Sequence, residues 1–382
     1  MTERGFDMGN RGISLGKIFG IPIYLDYSWF LIFALITWSL AVNYYPLEFN
    51  NWTTAEYWIV GAVTAIMLFV SVLLHEIGHS LVATHYQIKV SSITLMVFGG
   101  VSQITKEPNS AIQEFWISII GPIVSFVLAG VFFLLTLMTK TVSPLWAVIQ
   151  YLVYINLILG VFNLIPGFPL DGGNVFRAIV WGISHDFRRA TRIAATVGRI
   201  LAFLMILLGV YEIFLGNLIN GLWIAFIGWF LESAANAQLN QQHIHDLLQG
   251  HTVVQAMSKN FVLLPADMTL QKVADDHVLE AGRRFFVIEK GGFPLGLLTL
   301  TNLKDVPRSE WPIKTTEQAM TPIEKLHTLK PDSALSDAFD EMTMQGERYL
   351  PVVVDGQVQG IMSNESLLNF LRTIQEMTKG TT

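Results

Sequence analysis

The stretch His75-Glu76-Ile77-Gly78-His79 decides how this chain is read, because it lies inside an apolar run that begins near Tyr57. A charged residue at the centre of a hydrocarbon span costs about 2.5–3.5 kcal/mol on insertion scales. Two imidazoles and a carboxylate within five residues therefore imply a partner that offsets the cost. On a helix, positions i and i+4 return to nearly the same face, so His75 and His79 can offer two nitrogens to one ion. Glu76 follows His75 directly and can reach a water bound to that ion. This is the H-E-x-x-H arrangement of two zinc ligands and a general base. The competing reading is a chance match, with both histidines satisfied by neighbouring helices. Hydrocarbon offers those groups nothing else to bind, which disfavours it.

The surrounding composition is that of a membrane protein. Mean hydropathy is +0.47, and charged residues make up only 14% of the 382 residues. A chain of this length predicts two or three domains. Residues 1–250 hold 11 of the 24 Lys and Arg and 13 of the 30 Asp and Glu. More than half the charge thus falls in the last third, which reads as a soluble domain after a membrane domain. A net charge of −6 gives no indication of nucleic-acid binding. With no cysteine, disulfides and thiolate ligands are excluded, and a metal site must use nitrogen and oxygen. Residues 1–20 are polar and lack a small-residue cleavage site, so they predict a retained cytoplasmic segment rather than a signal peptide.

Six runs approach the roughly 20 apolar residues a span needs: Ile21–Tyr45, Tyr57–Thr84, Ile112–Met138, Pro144–Ile165, Ile193–Leu215 and Leu218–Ala235. Arg4, Arg11 and Lys17 precede the first, and the next loop has no Lys or Arg. The positive-inside rule then places the N-terminus in the cytoplasm. Arg177, Arg188, Arg189 and Arg192 fall on the same side, Lys140 is a mild exception, and six crossings return the C-terminal region to the cytoplasm. Val90–Thr105 is apolar but too short to cross and is broken by Gly99-Gly100. It predicts a re-entrant strand or hairpin, with an interfacial loop as the alternative.

The fourth run leads into Asn163-Leu-Ile-Pro-Gly-Phe-Pro-Leu-Asp171-Gly-Gly, whose prolines and glycines interrupt helical hydrogen bonding. Asp171 is the only acid between Glu114 and Asp186. It reads either as the N-cap of a helix from Gly172 to Gly182 or as the third ligand that His75 and His79 lack. Three protein ligands with the fourth position left to water is the catalytic zinc pattern. His85, His243 and His245 carry little signal, the last two lying in a Gln-rich linker helix with a solvated surface. From about Gly250 the chain repeats itself at an offset of 63–66 residues. Ala256-Met257-Ser258 is echoed by Ala319-Met320-Thr321, and Gly296-Leu-Leu-Thr299 by Gly360-Ile-Met-Ser363. The spacing predicts two tandem small α/β domains. The expected division is a cytoplasmic segment 1–20, a six-span domain 21–238, a linker 239–249, and two soluble domains 250–310 and 311–382.

These motifs resemble the site-2 protease family of intramembrane metalloproteases over roughly residues 15–240. HEIGH matches its zinc helix, NLIPGFPLDGG its second motif, and VFGGV the re-entrant segment between them. The resemblance implies His75, His79 and Asp171 as zinc ligands and Glu76 as the base. It further implies Asn163 as a donor to the developing oxyanion, and Gly99 and Gly100 as guides for an unwound substrate strand. Ser125 stands where many relatives have Asn, a departure expected to touch packing or substrate contacts and to leave the metal site intact. The implied substrates are single-pass membrane proteins, often anti-sigma factors or signalling precursors. The C-terminal repeat resembles tandem CBS domains, which pack as a pseudo-symmetric unit, act as regulatory or dimerising modules, and often bind adenine nucleotides near positions matching Thr299 and Ser363. The ribose-binding Asp of that family is replaced by Asn302 and Ser366, neither of which accepts two ribose hydroxyls as a carboxylate does. The expected fold is a polytopic α-helical membrane protein, with six transmembrane helices and a re-entrant β segment, plus a cytoplasmic α/β tandem CBS pair. The expected activity is intramembrane zinc proteolysis. The alternative is a CBS-gated cation transporter or channel, which would spread polar groups over several spans and often repeat them; here they gather at one place.

Overall fold

The computed structural model describes residues 12–97, 99–139, 143–279 and 283–379. Arg4, Arg11 and Lys140, which bear on the orientation expectation, lie outside them, as does Phe98 of the VFGGV segment. The backbone separates into two units, Met1–Gln242 and His243–Thr382.

In the first unit, helices α1 (Ser28–Glu48), α2 (Thr54–His85), α3 (Ala111–Thr136) and α4 (Pro144–Asn163) are followed by the shorter α5 (Asp171–Ser184) and then by α6 (Phe187–Phe214) and α7 (Leu218–Leu248). All but α5 are long and apolar enough to cross a membrane, six in number among the described residues. Helix α2 spans 32 residues, about 48 Å at 1.5 Å per residue. Its start is set by a capping box in which Thr53 accepts from the Glu56 amide and the Glu56 carboxylate accepts from the Thr53 amide. Asn156 on α4 donates to Ser71 Oγ on α2 at 3.2 Å, a buried polar tie between two spans.

A four-stranded sheet accompanies the helices. Its strands β1 (Gly12–Ile18), β2 (Ile21–Asp26), β3 (Val90–Met96) and β4 (Gly99–Ile104) lie in that order, so β4 is an edge. Strands β2 and β3 run parallel and the other pairs antiparallel. The expected re-entrant hairpin is β3–β4. The first expected span is corrected at its start, because Ile21–Asp26 is a strand and the helix begins at Ser28. Ile21, Ile23 and Leu25 are buried while Pro22, Tyr24 and Asp26 are half-buried, the period-two pattern of a strand. A hydropathy window merges that alternation with the helix behind it. Part of the expected polar segment 1–20 likewise supplies β1.

Helices α6 and α7 meet through small residues. A Cβ on Gly221 would sit 2.5 Å from the Gly209 carbonyl oxygen, and one on Gly209 would sit 2.5 Å from the Ala225 amide nitrogen. Backbone contact of this kind leaves no room for a side chain. Gly221→Leu is expected to lower stability by roughly 1–3 kcal/mol, the usual cost of overpacking. Thermal melting of the purified protein in detergent measures it.

The second unit holds a sheet of β5 (Leu263–Pro265), β6 (Phe285–Lys290), β7 (Phe293–Thr299) and β8 (Thr321–Pro322), and a hairpin of β9 (Tyr349–Val354) and β10 (Gln357–Ser363). The repeat seen in the sequence becomes an exchange. Strand β8 opens the second repeat yet pairs with β7 of the first, while Ser258 of the first repeat bridges Ile361 in β10. Gly296 leaves room for Met320 Sδ, 2.9 Å from where its Cβ would be, and Gly360 does the same for Met257 Sδ at 2.6 Å. Val287, Leu297 and Ile361 form a buried cluster between the halves, with the Phe285 and Tyr349 rings 4.9 Å apart beside it. His243 is exposed. His245 is not a solvated surface residue, because its Nε2 lies 2.7 Å from Asp340 Oδ1.

Candidate metal centre

Helix α2 carries His75, Glu76 and His79, and α5 carries Asp171 in its first turn. Leu170 occupies the N-cap position, so the Asp171 side chain is not the cap and is turned to the imidazoles instead. Gly172 and Gly173 allow this turn to form. A Cβ on Gly172 would strike the backbone of Leu164 and Ile165, and one on Gly173 would lie 2.6 Å from the Gly167 carbonyl carbon. The Pro- and Gly-rich segment thus folds back under the start of α5 and sets its position.

Asp171 Oδ2 lies 3.0 Å from His75 Nε2 and 3.3 Å from His79 Nε2. One ligand atom from each residue falls within 4.8 Å of the others, the only such cluster among the described residues. Tetrahedral zinc with ligands at 2.0–2.1 Å separates neighbouring ligand atoms by about 3.3 Å. The far side of each ring shows which nitrogen is available. His79 Nδ1 is 2.5 Å from the Ile117 carbonyl oxygen, which only accepts, so Nδ1 carries the hydrogen. In the neutral ring Nε2 is then a bare lone pair facing a carboxylate oxygen. A zinc ion between them would satisfy both lone pairs, as a proton would, and the donor set of two imidazole nitrogens and a carboxylate fits zinc.

One face of α3 shapes this centre. Ile117 supplies the carbonyl to His79. Gly121 has no side chain where a Cβ would lie 2.5 Å from His75 Nε2 and would also strike His79 Nε2. Ser125 Oγ is 2.9 Å from His75 Nδ1. Ser125 thus touches the His75 ring itself, a contact beyond the packing or substrate contacts expected of it. The same helix pairs Glu114 with Arg177, and both residues are buried.

Glu76 is half-buried, and its Oε2 accepts a hydrogen bond of 2.6 Å from Ser102 Oγ on β4. Gly100 packs flat against it, because a Cβ there would lie 3.0 Å from Glu76 Cδ and closer still to Cγ. Gly99 opens β4 at φ +122°, a conformation that glycine adopts readily. Ser102 was not singled out by the sequence, although its place in the VSQIT stretch after Gly100 is a strand signal. Removing its hydroxyl leaves one carboxylate oxygen less well held. Ser102→Ala is expected to lower kcat/KM on the order of 10-fold, a charge-assisted hydrogen bond being worth about 1.5–3 kcal/mol at most. Steady-state cleavage kinetics measures it.

Asn163 closes α4 and is half-buried, and the contacts that gather the three ligand atoms do not include it. Thr299 and Ser363 end β7 and β10. The Thr299 hydroxyl donates to Asn302 Oδ1 at 2.7 Å, and Ser363 Oγ accepts from the Ser366 amide at 3.1 Å.

With this geometry in view, the likenesses to known proteins are specific. A model of peptidase family M50 matches residues 63–146 and 138–207, and a CBS-domain model matches residues 253–308 and 317–373. A candidate zinc metalloprotease of Synechocystis sp. is 36% identical over 95% of this chain and 96% of its own. A zinc metalloprotease of Methanocaldococcus jannaschii is 28% identical over 96% of this chain and 98% of its own. The solved site-2 protease of the same archaeon is 34% identical, with a TM-score of 0.42, and the match covers 60% of this chain and 95% of that one.

Proposed function

The chain belongs to peptidase family M50, that of the site-2 proteases, and on that premise we propose how its residues divide the work. It is an intramembrane zinc metalloprotease with a regulatory pair of CBS domains. His75, His79 and Asp171 are the ligands in this proposal. What supports the reading is the convergence of His75 Nε2, His79 Nε2 and an Asp171 oxygen within 4.8 Å of one another, beside Glu76 on the same helix. Bound there, zinc supplies the Lewis acidity that acidifies water and polarises a peptide carbonyl. Glu76 takes the proton from the attacking water and returns it to the leaving amine. Ser102 holds Glu76 Oε2, so the other carboxylate oxygen is the one that handles the proton. Asn163 donates to the carbonyl oxygen as negative charge develops on it.

The free edge of β4, beginning at Gly99 and Gly100 beside Glu76, takes up the substrate as an added strand. A helical segment must leave its own hydrogen bonds to do so. Pro, Gly or Asn within the substrate's membrane segment is therefore expected to raise the cleavage rate. The substrates are single-pass membrane proteins such as anti-sigma factors or signalling precursors, and the N-terminus and CBS pair lie on the cytoplasmic side. Residues 21–238 form the protease domain, 239–249 the linker, and 250–310 and 311–382 the two regulatory halves. The pair also serves as a dimer contact. Adenine nucleotide binds it weakly, because Thr299 is engaged with Asn302 and Ser363 with Ser366. Titration with ATP or AMP is expected to show no saturation in the micromolar range, and Asn302→Asp to tighten binding. Cleavage of single-pass proteins by the full chain reconstituted in bilayers, with and without zinc chelation, tests the whole reading. Cleavage that survives complete removal of zinc overturns it.

A further inference from the structure

Glu114 and Arg177 form an ion pair that the proposed chemistry does not use. Arg177 Nε lies 2.5 Å from Glu114 Oε1, and the two residues are 6% and 1% exposed. The guanidinium is sandwiched by the Phe168 and Phe187 rings, at 5.1 and 4.8 Å, and Nη2 donates to Asn174 at 3.3 Å. Even so, Arg177 Nη1 and Glu114 Oε2 have no hydrogen-bond partner among the described residues. Desolvating such a pair costs as much as its attraction returns, and apolar replacements are often neutral or stabilising. Its retention is therefore not explained by stability alone.

Its position supplies an explanation. Glu114 lies on the same face of α3 as Gly121 and Ser125, with the Ile117 carbonyl beside them. That face already holds both histidines. Arg177 lies on the helix that begins with Asp171. Beyond the first turn of α5, which Gly172 and Gly173 seat, α3 and α5 flank an open apolar groove of Ala111, Ile112, Phe115, Ala178, Ile179 and Gly182. Apolar contact is non-directional and does little to fix how one helix lies against the other. We propose that Glu114 and Arg177 are positioning residues, whose ion pair fixes α5 against α3 in the register that brings Asp171 to His75 and His79. This rests on the zinc reading above. One helix face then templates all three ligands, the histidines directly and the aspartate through the pair.

The test uses the full-length protein loaded with cobalt(II), whose visible bands report coordination number and geometry. It compares wild type, Glu114→Gln and the apolar pair Glu114→Leu with Arg177→Met. The apolar pair is expected to melt within a few degrees of wild type. Both variants are expected to bind cobalt and zinc about 10- to 100-fold more weakly, the usual effect of losing a residue that orients a ligand. Their bands are expected to shift as those of Asp171→Asn do, and adding Asp171→Asn to the apolar pair is expected to change them no further. Wild-type affinity and bands in either variant overturn the proposal. So does an apolar pair that fails to fold, since the ion pair is then a requirement of the fold itself. A wild-type protein that binds neither metal refutes the zinc reading instead, which keeps the two failures apart.

Discussion

Replacing Glu76 with glutamine is expected to reduce kcat/KM for peptide cleavage by about 100- to 10,000-fold, the span of general acid–base contributions, while bound zinc stays at one per chain. The substitution is close to isosteric. Ser102 can still donate to the amide oxygen as it donates to Oε2 at 2.6 Å, and Gly100 still offers a flat surface for the side chain to lie on. The proposed ligands, His75, His79 and Asp171, are untouched. What disappears is the capacity to accept a proton, so the loss isolates that step. Zinc analysis alongside single-turnover cleavage decides the matter. A variant with full zinc and activity within threefold of wild type would remove Glu76 from the chemistry.

Gly121→Ala is expected to abolish stoichiometric zinc binding and to lower stability by roughly 1–3 kcal/mol, since the methyl group overlaps two held rings. The added methyl group would occupy the point to which both Nε2 atoms are directed, 2.5 Å from that of His75 and overlapping that of His79. Neither ring can retreat freely, since Ser125 and the Ile117 carbonyl hold their far sides. The better helix propensity of alanine, about 0.8–1.0 kcal/mol, offsets only part of that cost. Zinc binding is thus expected to be lost completely while the fold survives with a lowered melting temperature, an outcome that separates the site from global unfolding. Zinc content after dialysis, read beside the melting temperature, measures both. Wild-type zinc retention in Gly121→Ala would contradict the geometry.

Much of this was legible before any coordinates. The i, i+4 spacing of His75 and His79, which helical periodicity turns into one face, and the acid-poor stretch around Asp171 are local patterns. The repeat after Gly250 was equally plain. What escaped are features that depend on packing between distant segments. The N-terminal strands were hidden because six alternating residues, Ile21–Asp26, run into a helix and look like its beginning. Ser102 and Gly121 are small residues of common types that nothing marks until their neighbours are known, and Ser125 stood out only as a departure from the family, not as a contact of His75. Arg177 counted only as one of four arginines on the cytoplasmic side, because its partner lies 63 positions earlier. The exchange of short segments in the second unit was invisible for a related reason, since a repeat reveals similarity and not which copy touches which.

That exchange has a practical outcome for anyone who edits the C-terminal region. Because Met257 nests on Gly360 and Met320 on Gly296, each half is finished only by a piece of its sibling, as with two hands clasped. Deleting the second copy would strip the first of its closing strand and bare its apolar seam, so a shortened protein would carry a sticky remnant where a half-strength sensor was intended. Any signal arriving at one copy is likewise owned by both.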